Sequence, residues 1–165
     1  MFILLLISLI IALIVQYFIE CICCAAYKAK ISKTLDSISS LEDFLFMRYK
    51  DFVYLTAEVY RRKGFHVTIT DKCGEEGNGL LIDNVIFVEV WKNGLKHFMD
   101  VETGMKLAKC MQSNSIYRGI LITLGDFKPT TIKFCHKNVI QCINGRQLLE
   151  MCREVQRDLH LQQVQ

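Results

Sequence analysis

At 165 residues the chain has room for one domain of ordinary size and a short appendage, which excludes a second full domain. Its hydrophobic share of 52% is high for a soluble protein, but the excess is concentrated at the N-terminus and the remainder has ordinary globular composition. The net charge of +3 is compatible with nucleic acid or an anionic membrane face and singles out neither.

Met1 to Ile19 holds only Ser8, Gln16 and the hydroxyl of Tyr17 as polar groups. Continued toward Ala26, this run has the roughly 20 apolar residues that cross ~30 Å of hydrocarbon as a helix. We read residues 1–26 as a transmembrane anchor. A cleaved signal peptide would carry a basic leader, a shorter apolar core and a small-residue cleavage motif, whereas here no Lys or Arg precedes the run. Lys28, Lys30 and Lys33 follow it, so the positive-inside rule predicts a single-pass protein with its C-terminal domain in the cytoplasm. Beyond residue 27 lie all 20 basic residues and every acidic one except Glu20, so this part is mildly basic.

Cys21, Cys23 and Cys24 cluster at the membrane edge, and Cys73, Cys110, Cys135, Cys142 and Cys152 are scattered without a CxxC pair. The expectation is reduced thiols, with neither a disulfide framework nor a zinc site.

Residues 27–46 are expected to form a helical connector, since Ser39 and Ser40 with Glu42 and Asp43 have the spacing of capping boxes. A folded domain over residues 47–160 follows. Phe52, Leu55, Val59 and Tyr60 recur at helical spacing, and Gly64 is placed to stop that helix after Arg61, Arg62 and Lys63. Phe65 to Thr70 alternates and is β-branched, predicting a strand. After a polar, glycine-bearing loop, Leu80–Ile82 and Val85–Trp91 predict a hairpin around Asp83-Asn84. Leu95 to Met111 has helical character, and Gly119 to Thr123 is a continuous apolar run suited to a strand covered on both faces. A short helix after Pro129, a strand over Val139–Ile143 and a closing helix over Gly145–His160 complete an α/β layer sandwich with a mixed sheet.

Cleavage of phosphodiesters with a divalent cation needs acidic oxygens converging on the ion and benefits from a nearby Lys. On a strand a Glu-x-Lys triplet points both groups into one cleft, because residues i and i+2 share a face. Around such a strand this sequence resembles the Mrr-like restriction endonucleases of the PD-(D/E)xK fold over about residues 48–154. Asp51-Phe52, Ala57-Glu58-Val59-Tyr60 and Gly64-Phe65-His66-Val67 resemble that family's opening helix and first strand. Gly74-Glu75-Glu76-Gly77-Asn78-Gly79-Leu80-Leu81-Ile82 is similar to its Gly-rich loop and hairpin arm, and Phe87-Val88-Glu89-Val90-Trp91 to its (Glu/Gln)-x-Lys strand. Gly119 to Phe127 and Val139 to Leu149 resemble its later strands and last helix.

The resemblance implies a restriction-endonuclease-like α/β/α sandwich, DNA as a partner and Mg²⁺ where the site is active. It places Glu89 at the (Glu/Gln) position, with Glu75 and Glu76 as further metal-binding acids and Lys92 as the basic group. Three departures count against activity. Val53 replaces the helix acid, the metal-binding Asp falls on Asn78, Gly79 or Leu80, and Trp91 stands where the family has Lys. Lys92 comes one residue late and points to the opposite face in a regular strand. For Thr123 a helix cap competes with phosphate contact, and for Arg61, Arg62 and Lys63 a solvated helix end competes with a nucleic acid backbone. Three readings follow: a membrane-anchored, catalytically degenerate nucleic-acid-binding protein, an active endonuclease with a migrated site, or a protein-interaction module at the membrane.

Overall fold

The computed structural model describes residues 2–74 and 79–163, with side chains described for 10–74, 79–159 and 161. Six helices and seven strands occur among these residues: α1 Phe2–Ser37, α2 Leu41–Phe46, α3 Tyr49–Arg62, β1 Val67–Thr70, β2 Gly79–Ile82, β3 Ile86–Trp91, β4 Phe98–Met99, α4 Val101–Ser113, β5 Arg118–Thr123, β6 Asp126–Phe127, α5 Pro129–Lys137, β7 Ile140–Ile143 and α6 Gly145–Gln163. Five strands make one sheet in the order β1-β2-β3-β5-β7. Its first three strands are antiparallel neighbours, and β3, β5 and β7 run parallel. This is the mixed sheet expected, with β4 and β6 added as a separate short parallel pair.

Strand alternation sorts the core into two layers. Val88, Val90, Ile120 and Ile122 point to one face and pack with Phe52, Leu55 and Val59 of α3 and Leu148, Cys152 and Val155 of α6. Phe87 and Leu121 point to the other, against Leu107 and Met111 of α4 and Cys135 of α5. The parallel β3-β5 and β5-β7 crossovers thus carry α4 and α5 on one side, while α3 and α6 cover the other.

Helix α1 is one uninterrupted element that does not change at residue 26. It contains a stretch long and apolar enough, by length and composition, to cross a membrane. Its last turns belong to the core, where Ile31 and Leu35 are buried, followed by Ile38 just past its end. Residues 27–37 and 41–46 are helical, with a break at 38–40, and they pack against the domain. Burial, followed by the hydrogen bond to Asp51, raises the Tyr27 phenol well above its ordinary range.

Local chemistry explains several boundaries. The Asp43 carboxylate accepts backbone N–H bonds from Ser39 and Ser40 at 2.9 Å each, which fixes the start of α2. Asn144 and Gln147 exchange reciprocal bonds at the start of α6. The hairpin tip Asp83-Asn84 has φ of 50° and 60°, the left-handed pair a two-residue turn needs. The helix expected from Leu95 begins only at Val101. Residues 93–97 wrap back on themselves, with His97 N–H on the Gly94 carbonyl, and Phe98–Met99 pairs with β6 before Asp100 opens α4.

The cysteine expectation is corrected. Cys73 and Cys110 form a disulfide with Cα atoms 6.2 Å apart, tying the loop after β1 to α4. Spacing alone hid this pair, because its 37-residue separation is closed only when the β2-β3 hairpin returns the chain beside α4.

Candidate active site

Glu89 is the single acidic residue on the five strands of the main sheet. It lies on β3 two residues after Phe87 and two before Trp91, so all three share the face covered by α4. On the adjacent parallel strand, Leu121 and Thr123 pair with Glu89 and Trp91 and put their side chains on that face as well. Glu89 is only 4% exposed. Its Oε1 accepts a hydrogen bond from the Trp91 indole Nε1 at 3.0 Å. A buried carboxylate needs donors, and here the indole supplies one from the position where the resemblance would put a lysine ammonium.

Lys92 goes elsewhere. Its ammonium donates to the Leu45 carbonyl at 2.9 Å, on the α2 side of the sheet. The structure therefore does not bring Lys92 and Glu89 together. Glu75 and Glu76 lie outside the described residues.

Two of the three positions for the missing Asp are described. Leu80 points into the α3 core. Gly79 continues the β2-β3 ladder opposite Glu89 and faces the same side, but a Cβ there would lie 2.3 Å from the Cys73 carbonyl oxygen and 2.8 Å from its carbon. Backbone fills the space a carboxylate would need, and the disulfide holds that backbone in place. Val53 is fully buried among apolar residues of the opposite core.

Thr123 is fully buried, and its Oγ1 has no hydrogen-bond partner among the described residues. The expected helix cap is not made. Arg61, Arg62 and Lys63 are engaged within the fold. Arg61 donates to the Val67 carbonyl and lies 3.7 Å from Glu58, Arg62 bonds Ser32 and pairs with Asp36 and Glu58, and Lys63 pairs with Glu154. The Glu154 carboxyl is correspondingly held below its usual range by the Lys63 hydrogen bond.

A catalytic divalent cation would need at least a second fixed oxygen donor of negative charge beside Glu89. Among the described residues no three His, Cys, Asp or Glu side chains gather as a metal site, the Gly79 position is closed and the Trp91 indole occupies one Glu89 oxygen. The described residues do not fit such an ion. A cleft of about 390 Å³ lined by Ile86, Arg118 and His136 lies at the opposite ends of the parallel strands, away from Glu89.

Sequence reasoning identified Glu89 and Trp91 but missed Cys73, whose carbonyl and disulfide shut the neighbouring position. The nearest available signal was a cysteine at the mouth of the Gly-rich loop, which does not by itself name its partner.

The Mrr_cat restriction endonuclease family matches residues 44–152, most of the folded domain. No curated protein matches the chain. Among solved structures it is similar to the DNA modification-dependent restriction endonuclease AspBHI, at TM-score 0.52 and 11% identity over 84% of this chain and 40% of that one. It is also similar to the MspJI restriction endonuclease in complex with a 27-mer oligonucleotide, at TM-score 0.52 and 15% identity over 79% of this chain and 32% of that one. The chain thus spans well under half the length of either enzyme, and at these identities the likeness shows the restriction-endonuclease-like fold.

Proposed function

This chain belongs to the Mrr_cat restriction endonuclease family, and we propose that it is a membrane-anchored, nucleic-acid-binding member that does not cleave. The observation that carries this reading is the Glu89–Trp91 hydrogen bond beside a Gly79 position with no room for a side chain. One buried carboxylate satisfied by an indole is a packing arrangement. Among the described residues no second acid and no ammonium stand beside Glu89 as metal-assisted hydrolysis requires. Binding of DNA is supported by the family and by a structural neighbour solved with an oligonucleotide.

The apolar α1, with Lys28, Lys30 and Lys33 after it, supports a single-pass anchor with the domain in the cytoplasm. The Cys73–Cys110 bond pulls the other way, since disulfides persist mainly in oxidising compartments. We give the lysines precedence, because flanking charge sets topology during insertion whereas a single disulfide is reversible.

The test is a plasmid-nicking assay on the full chain in nanodiscs with Mg²⁺ or Mn²⁺, beside salt-dependent binding of labelled duplex. The expected result is binding that weakens as salt rises, with no nicking. Cleavage that disappears in Glu89→Ala would overturn the inactive reading. The internal pairing of Arg61, Arg62 and Lys63 favours a second reading, a module that docks only protein. Loss of all salt-sensitive DNA binding would select it.

A further inference from the structure

The way α1 joins the domain fixes which side of the sheet meets the membrane. Near residue 27, the Tyr27 hydroxyl donates to Asp51 and its ring stands edge-on to Tyr54 with centroids 5.0 Å apart. About one and a half to two and a half turns later, Ser32 and Asp36 meet Arg62 at the other end of α3. The contacts run in the same order on both helices, so α1 and α3 are parallel. The apolar run therefore leaves the domain at the first turn of α3. That turn is held to the end of β3 by Tyr49, whose hydroxyl donates to the Val90 carbonyl at 3.1 Å. The span thus emerges at the edge of the domain formed by the C-terminal end of β3, on the α3 side of the sheet and opposite the face that Glu89, Trp91 and Thr123 share.

The same edge exposes an unusual side chain. Phe46, the last residue of α2, is 89% exposed, and Leu45 beside it is 37% exposed. Both are at this edge because the Lys92 ammonium, just past β3, holds the Leu45 carbonyl. Exposed cations flank them on the side away from Glu42 and Asp43, which lie in the first turn of α2. Arg48 and Lys50 follow within four residues, Lys28 and Lys30 stand on the adjoining turn of α1, and Lys50 lies over the Tyr27 and Tyr54 rings at 5.8 and 5.7 Å. The Asp51 carboxylate in this neighbourhood is taken up by Tyr27. An aromatic ring among lysines and arginines suits the headgroup layer of an anionic bilayer. The distance also fits, because Tyr27 lies about 10 Å along the helix from Glu20, the first charge after the apolar run.

We propose that Leu45, Phe46, Arg48 and Lys50 rest on the anionic surface of the bilayer that α1 spans. This deepens the membrane-anchor reading above and rests on it.

The chain has a single tryptophan, so Phe46→Trp adds one distinguishable reporter at a position whose exposure spares the core. The full-length variant and the unsubstituted chain would be reconstituted in vesicles of phosphatidylcholine with phosphatidylglycerol brominated near the headgroup, then floated. The expected result is co-flotation of both. The emission added by Phe46→Trp should be quenched at least twofold, and the quenching should fall when the anionic lipid is replaced or when Arg48→Glu and Lys50→Glu are introduced. Co-flotation with the added emission unquenched would overturn the docking and leave the anchor standing. Failure to float would overturn the anchor reading and the docking with it.

Discussion

The two faces of the main sheet differ in kind. The face under α3 and α6 is built from Phe52, Leu55, Val88, Val90, Ile122 and Leu148, all at 0% exposure and all apolar. The face under α4 carries Glu89 and Thr123 among its buried residues, an indole pinned to a carboxylate and a disulfide at its margin. The first face holds the fold together through area removed from water. The second keeps polar groups in the place where the family keeps its chemistry, at some cost in stability. The apolar pattern that carries the fold and the polar residues around Glu89 thus sit on opposite sides of one sheet.

The sharpest way to break this contrast is on the apolar face. Phe52 is fully buried and packs edge-on against Phe44 with centroids 5.6 Å apart. Phe52→Ala should cost about 3–5 kcal/mol through lost transfer energy and the cavity left behind. A fall in the urea midpoint with unchanged slope is the expected result. A loss below about 1 kcal/mol would mean that this layer is not what holds the domain together.

On the other face the effects are smaller and depend on hydrogen bonding. Trp91→Phe keeps most of the ring but removes the donor to Glu89 Oε1. Removing that donor from a buried carboxylate should destabilise by about 1–3 kcal/mol, and Glu89→Gln in the same background should return part of the loss. No recovery in the double variant would show that the 3.0 Å contact is incidental.

This asymmetry also explains what was legible in the sequence. The helical spacing of Phe52, Leu55 and Val59, the apolar run at Gly119–Thr123 and the turn at Asp83-Asn84 are local patterns, and each became the element expected. Glu89 and Trp91 were legible as a departure from a strand motif, since period two alone places them on one face. What stayed hidden depends on long-range closure. Cys73 meets Cys110 and crowds Gly79 only after the hairpin is folded, and Lys92 finds Leu45 only after α2 returns to the sheet edge. The start of α4 was misplaced because β4 pairs with β6, nearly 30 residues onward, and that pairing overrides local helical character.

Thr123 sharpens the comparison with the opposite sign. Its hydroxyl is buried without a partner among the described residues, so the folded state carries the full desolvation cost of that group. Thr123→Val replaces the oxygen by a methyl group of similar size and should stabilise the domain by about 1 kcal/mol. Its urea midpoint should rise while Leu121→Ala, one step along the same strand face, lowers it. A destabilised Thr123→Val would indicate that the hydroxyl is satisfied in solution.

The smallest effect belongs to neither face and serves as the control. Asp43 is half-buried and is held below the ordinary aspartate value of 3.8 mainly by the Ser39 and Ser40 backbone N–H groups. Because the folded-state value is the lower one, this contribution is present above the unfolded pKa and is lost as pH falls through the folded one. Asp43→Asn should therefore narrow the difference in Tm between neutral pH and pH 3 slightly, and leave the Phe52 and Thr123 effects unchanged at neutral pH. The cap opens α2, ahead of the buried Phe44 and the exposed Phe46, so loosening it should also weaken the lipid-dependent quenching at Phe46→Trp. A variant that altered quenching without moving the acid limb of stability would separate the order of that edge from the charge of its cap.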